Sequence, residues 1–450
     1  MDNTFTAAEL QLAKKCVGMA LAHGAGKARV TLNKSCMDLV GTLNGEVDKV
    51  SHSLDLSLSL ALFVDGRFGS FSINRFEEKA LDSFIADAVE IVRMLTEDPC
   101  RDLPSPERTA KDAVTGRELD ICDEGAYEAM TSERRLSLAL GASIFSEERE
   151  GSGWTLVSEE GEYSDSVFDL YIVDSNGTEC RHTETSFEYG VEMTVTDGEG
   201  RRYSGFWWDS CPGLAPLDCK GICRKALERA VEQIGPLPRR SGKYRCVIDS
   251  GCASKVVTPL LSALSAYSIQ QGNSFLRDSL GKKVLPEGVT IEECCRTPGQ
   301  TGARLFDSEG VATTSHMIIE EGVVKEYFIN TYMAGKTGLA PTVDDAIRPR
   351  LKAWPEEGLD RDKILRKCRN GILVTGFNGG NSNSATGDYS FGIEGFAFKD
   401  GKIVHPVREM LMTGNLMDLW SRLVAVGDDA RECMSKLIPT LAFENVDFSS

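Results

Sequence analysis

Leu54, Leu56, Leu58, Leu60 and Leu62 alternate with Asp55, Ser57, Ser59 and Ala61. A side-chain period of two puts all five leucines on one face of a strand, whereas a helix would scatter them around its axis. The run therefore demands a sheet with one buried face. Asp65-Gly66 follows, a pair suited to a tight hairpin turn whose central residues take positive φ. Residues 68–73 then return as a second strand. Upstream, Thr6 and Glu9 have the spacing of a capping box, in which each side chain satisfies a backbone donor at a helix start. Downstream, Leu81, Phe84, Ile85, Ala88, Ile91, Val92 and Leu95 have helical spacing across 77–95.

After a proline-containing connector at 98–124 the pattern recurs. A helix is expected at 127–140. Strands with alternating apolar residues follow at 168–172, 187–195 and 203–208, with turns at Asn176-Gly177 and Asp197-Gly198, and a helix spans 220–233. Residues 1–97 and 120–235 thus read as two copies of one unit. Gly235-Pro236-Leu237-Pro238 breaks the helical pattern and marks a boundary near 240. Beyond it, a strand at 244–248 and a helix at 253–267 lead into a hairpin-rich half. Strands are expected at 317–320 and 323–329, and at 396–398 and 403–404, and a late helix at 416–426 with Asn415 as its N-cap. The expected fold is α+β. A duplicated helix–antiparallel-strands–helix domain occupies 1–240, and a β-rich domain occupies 241–450.

With 50 Lys and Arg against 68 Asp and Glu, the net charge is −18. Nucleic-acid affinity rests on cationic contacts to phosphate, so direct nucleic-acid binding is not expected. The start of the sequence lacks a basic segment followed by an apolar core, and no apolar run approaches the roughly 20 residues of a membrane span. Fourteen cysteines without paired spacing read as reduced thiols in a cytoplasmic protein. His23, His52, His182, His316 and His405 are all far apart, so no helical zinc pair exists. C-x-x-C, G-x-S-x-G, the phosphate-binding P-loop and G-x-G-x-x-G are all missing.

The stretch from Val374 to Gly395 is dominated by Gly, Asn, Ser and Thr. It reads as a long loop, either a backbone-binding surface for an extended peptide or partner strand, or a surface loop with no ligand. On the first reading Asn378, Gly379, Gly380, Thr386, Gly387, Asp388 and Asn415 are the binding residues. Valine at Gly379 and Gly380 would then abolish binding with the thermal midpoint nearly unchanged.

Val374-Thr375-Gly376, Thr386 to Ser390, Gly392-Ile393-Glu394-Gly395, Pro406 to Glu409 and Thr413 to Leu416 together resemble the C-terminal signature of the TldD/PmbA family, in its PmbA (TldE) branch. Two further blocks, Phe306 to Val311 and Asn330 to Ala334, resemble that branch as well. The resemblance implies a cytoplasmic proteolytic system, historically labelled a modulator of DNA gyrase. Its TldD branch carries H-E-x-x-x-H and the other branch pairs with it without that motif. It places the metal-helix stretch at 257–262, here Val-Thr-Pro-Leu-Leu-Ser, with no group to hold zinc; Cys433 falls near a family thiolate ligand. The implied function is a non-catalytic subunit that binds unfolded or extended polypeptide, holds no cofactor itself, forms a homo- or heterodimer, and supports proteolysis or peptide maturation by a zinc-bearing TldD-like partner. The alternatives are a self-sufficient peptidase, or a non-proteolytic regulator of gyrase or a nucleoid protein.

Overall fold

In the computed structural model, which describes residues 3–213 and 217–450, the leucine run lies in a strand spanning Glu46–Val64. Leu58, Leu60 and Leu62 are fully buried. Their antiparallel neighbour, Lys27–Leu43, extends the sheet by a strand that has no counterpart among the sequence expectations. Its inward positions include Ala28, Lys34 and Cys36 as well as Val30 and Leu32, and this mixture dilutes the alternation that identifies a strand. Lys34 is tolerated inside because its ammonium donates to the Thr4 carbonyl at 2.9 Å and pairs with Glu9 at 3.2 Å.

The duplication is explicit in the element order. Helix Ala7–Ala22 precedes strands 27–43, 46–64 and Arg67–Ile73, and helix Glu78–Arg93 follows them. Helix Ser132–Ala142 precedes strands Trp154–Asp174, Glu179–Asp197 and Arg202–Cys211, and helix Cys219–Glu232 follows those. The two meanders join through their first strands, with Arg29 opposite Asp174 and Leu43 opposite Glu160. Strand order along the sheet is therefore third, second, first, first, second, third, with a short strand Glu150–Gly151 added. The helix expected at 127–140 is two helices, Glu124–Glu128 and Ser132–Ala142, because Thr131 caps the second by accepting from the Arg134 amide.

Helices 7–22 and 78–93 bury Ala13, Val17, Ala20, Leu81, Ile85 and Val89 against Val30, Leu32, Leu58 and Leu60. At the second meander, Leu170, Ile172 and Cys180 pack with Ala303, Leu305 and Phe306. Asp169 is fully buried there. It accepts from Arg181 Nε at 2.9 Å and Nη2 at 2.6 Å, from Thr183 Oγ1 at 3.2 Å and from the Phe5 amide at 2.8 Å. One carboxylate thus fixes the N-terminal segment to the sheet.

Two compact units result. The first holds Met1–Arg229, Arg296–Thr313 and Asn330–Val343; the second holds the remainder, so the chain passes between them five times. The family-like blocks at 306–311 and 330–334 both belong to the first unit. Asp307 Oδ1 accepts from the amides of Glu309 and Val311, which tightens the turn at Gly310. Glu309 Oε2 then accepts from the amide and hydroxyl of Thr331, each at 2.8 Å. Asn330 caps the helix Thr331–Thr337.

The second unit is built on a barrel. Strands Gly242–Ile248, Gly371–Ser382, Asp388–Lys399, Lys402–Asn415 and Leu441–Ser449 pair in succession, and the ring closes where Leu411 meets Ser449 and Thr413 meets Asp447. Val247, Leu373, Phe396, Phe398 and Ala442 pack with Ile364 and Leu365 of helix Arg361–Cys368. Three expectations are corrected here. The late helix covers only Leu416–Ser421, and 423–426 is a strand on the barrel. The second strand of the 317–329 hairpin is only Val323–Val324. The helix expected at 253–267 ends at Ala263 and a short one restarts at Ala266.

A small sheet beside the barrel contains Ile291–Glu293 and His316–Glu320. His316 Nε2 lies 3.0 Å from Glu326, and Glu293 is its register partner. The Glu326 carboxylate raises the His316 pKa above its usual 6.5, against the opposing effect of burial. A raised folded-state value means stability that is complete below about pH 6.5 and lost as pH climbs through the folded value. We expect the thermal midpoint of the second unit to fall as pH rises above about 6.5, and His316→Gln to flatten that slope. An unchanged slope in the variant would remove this role from His316.

Candidate functional site

The glycine-rich stretch is not a loop. Residues 371–382 and 388–399 are a hairpin of the barrel, and only 383–387 turn the chain. Gly379 pairs with Gly392, Gly380 with Phe391 and Ser382 with Tyr389. Register shifts at Val374/Gly376 and at Phe377/Gly379 are bulges, which glycine accommodates without a Cβ clash. Aromatic packing that the sequence reading passed over anchors the hairpin. Phe391 stacks on Tyr389 at 5.1 Å and meets Phe377 edge-on at 5.5 Å, and the Lys255 ammonium lies 4.9 Å from its ring. The signal was present in the period-two spacing of Tyr389, Phe391 and Ile393.

The seven candidate residues separate into two groups. Thr386, Gly387, Asp388 and Asn415 form a self-satisfied knot at the hairpin tip. The Asn415 amide donates to the Thr386 carbonyl at 2.8 Å and to Asp388 Oδ1 at 2.9 Å, and the Thr386 hydroxyl donates to Asp388 Oδ2 at 2.7 Å. The Asn415 and Thr386 bonds hold the Asp388 carboxyl below the usual range. Asn415 Oδ1 also accepts from the Met417 amide, which makes it the expected N-cap. Buried Gly387 (φ +80°) packs beside Phe275.

Asn378, Gly379 and Gly380 are placed differently. Strand 242–248 pairs with 371–382 only from Ile372 to Val374. Among the described residues no strand covers the other edge from Gly376 to Ser382. Asn378 to Asn381 are exposed on that edge, and a Cβ at Gly379 would meet nothing within 4 Å. The result is a short, open strand edge with almost no side-chain bulk, the geometry that accepts an added strand.

The stretch 257–262, where the resemblance puts the family's metal helix, lies within the helix Ser254–Ala263. That helix buries Val256, Val257, Leu260 and Leu261 and carries Pro259 inside. Cys433 is buried as well. Among the described residues one trio of His, Cys, Asp or Glu is close enough to share a metal ion, and it lies in the first unit: Cys36, Asp38 and His52. No described helix is long and apolar enough to cross a membrane.

Three PmbA/TldA metallopeptidase domain models match the chain: domain 1 at residues 29–92, the central domain at 119–234 and the C-terminal domain at 241–450. The chain belongs to the PmbA/TldD family of metallopeptidase-related proteins. Among its relatives, the metalloprotease PmbA of Escherichia coli O157:H7 is 26% identical over 458 residues, covering 96% of each chain. A Bacteroides thetaiotaomicron protein, proposed as a modulator of DNA gyrase, has a crystal structure that superposes with a TM-score of 0.92 at 36% identity, covering 99% of both chains. TldE from Thermococcus kodakarensis shares the fold at 17% identity and a TM-score of 0.81, covering 98% of this chain and all of that one.

Proposed function

We propose that this chain is the subunit of a cytoplasmic TldD/TldE-type protease that lacks its own catalytic metal and receives extended polypeptide. The observation that carries the reading is helix 254–263. Near 257–262, where the family resemblance puts the zinc ligands of the catalytic branch, this chain buries valine and leucine. Water activation by zinc needs at least three ligands and an open position, and an aliphatic helix offers none. A TldD-like partner in a heterodimer supplies the zinc. The edge at Gly376–Ser382 takes a strand of the substrate or of that partner by main-chain hydrogen bonds. Fourteen cysteines without paired spacing in the sequence fit a reducing compartment, and the net charge of −18 disfavours nucleic acid as the ligand.

The test is proteolysis of an unfolded polypeptide by the pure chain, by an H-E-x-x-x-H-containing TldD-like protein and by the mixture. The chain alone should be inert with or without zinc. The mixture should cleave in a chelator-sensitive manner and faster than the partner alone. Chelator-sensitive cleavage by the chain alone would establish the self-sufficient peptidase instead.

A further inference from the structure

We propose that Cys36, Asp38 and His52 form a binding site for a divalent metal of the zinc type in the first unit, separate from the proteolytic function proposed above. Cys36 and Asp38 are two residues apart on strand 27–43 and so share a face. His52 on strand 46–64 is the register partner of Asp38. Their donor atoms all lie within 4.8 Å of one another, and His52 Nδ1 is 2.9 Å from Asp38 Oδ1. A thiolate, an imidazole and a carboxylate together suit zinc and its neighbours rather than magnesium or calcium, which prefer all-oxygen sites.

The surroundings fit an ion. Asp38 Oδ2 is held at 3.0 Å by Arg135 Nη2, which leaves Oδ1 directed to the metal side. Such a partner orients a ligating carboxylate. Arg135 is neutralised by a two-point bond to buried Asp165, with Nε at 2.8 Å and Nη2 at 2.7 Å. The charges left facing the site are therefore Asp38 and, once its proton has passed to solvent, the Cys36 thiolate. They balance a dication, with neutral His52 as third ligand. Tyr127 bears on the same thiol: its buried side chain sets the hydroxyl against Cys36. A metal-bound Cys36 thiolate would accept a hydrogen bond from that hydroxyl, an outer partner of the kind that supports a ligand.

The site departs from the expectation that the chain holds no metal. Its ligands come from two strands, and a search for local His or Cys spacing cannot find a cross-strand trio. Its consequence is mechanical. Among the described residues no strand pairs with the outer edge of strand 46–64 before Leu58, and a metal would add a side-chain link to the backbone ladder that joins this part to strand 27–43.

The test uses the full chain, stripped with a chelator and titrated with Co2+, then with Zn2+ in competition. One equivalent of Co2+ should bind with a thiolate charge-transfer band in the near ultraviolet, and Zn2+ should displace it. Cys36→Ser should remove the band, and Cys100→Ser, a control thiol, should keep it. His52→Ala alters a side chain that is 58% exposed, so the fold survives. Losing a direct ligand should weaken Co2+ by more than the 10–100-fold typical of an outer partner, that is by over about 100-fold. The proposal is overturned if folded wild type shows no thiolate band, or if His52→Ala titrates like wild type.

Discussion

Asp169→Ala should destabilise the first unit by about 2–6 kcal/mol, because the buried Phe5 amide and Thr183 hydroxyl each lose an acceptor at about 1–3 kcal/mol and the half-buried Arg181 loses its counter-ion. Asp169 is fully buried, and its loss strips Arg181 of two bonds, Thr183 of one and the Phe5 amide of one. The effect should therefore extend past the sheet to the N-terminal segment. Chemical denaturation would read the magnitude, and hydrogen exchange at residues 3–6 and in strand 154–174 would locate it. Asp169→Asn keeps one acceptor oxygen, for the Phe5 amide bonded to Oδ2 or for the Thr183 hydroxyl bonded to Oδ1 but not for both, and should fall between. A loss below about 1 kcal/mol in Asp169→Ala, a level typical of exposed ion pairs, would mean that Arg181 finds another partner.

Two adjacent glycines should respond very differently to alanine. At Gly380 (φ +86°) a Cβ would sit 1.9 Å from the Ser390 carbonyl oxygen and 2.8 Å from Phe391 Cα. Both are backbone atoms of the paired strand, so the hairpin must open. The cost adds to the 1–2 kcal/mol of a left-handed conformation, and barrel stability should drop well beyond that figure. At Gly379 (φ +142°) the Cβ meets open space, and only the conformational cost of about 1–3 kcal/mol remains. This corrects the expectation that valine at both positions spares the thermal midpoint. Gly379→Ala is the variant suited to probing the strand edge, by its capture of an unfolded polypeptide. Equal thermal midpoints for the two alanine variants would show that the hairpin yields at Gly380 without loss.

How far the sequence was legible follows from what each element depends on. Strand 46–64 announced itself because its leucines repeat at the pleat period. Strand 27–43 did not, since Lys34 and Cys36 occupy inward positions and their burial depends on Glu9 and on neighbouring strands. Within the hairpin at 371–399, the stretch 374–395 reads as a loop because Gly, Asn and Ser are turn formers locally. Its strand character comes from Tyr389, Phe391 and Ile393, which bury on the opposite strand. The open edge at Gly376–Ser382 depends on where strand 242–248 stops pairing, and the Cys36, Asp38 and His52 trio on cross-strand register. Neither is written in any local spacing.

The repeated passage of the chain between its two units has a consequence on the ribosome. The first unit has most of its residues by Arg229, but its last two pieces end at Thr313 and Val343. Synthesis must therefore add 343 − 229 = 114 residues before that unit is complete. At roughly 5–20 residues per second this takes roughly 6 to 23 seconds. Phe306, the last of the covering residues Ala303, Leu305 and Phe306, comes 306 − 229 = 77 residues after Arg229, so Leu170, Ile172 and Cys180 lack that cover for roughly 4 to 15 seconds. The nascent chain thus presents a sticky face for far longer than an isolated hairpin needs to form. Vectorial folding of this protein is a waiting problem, and holding chaperones are its natural remedy.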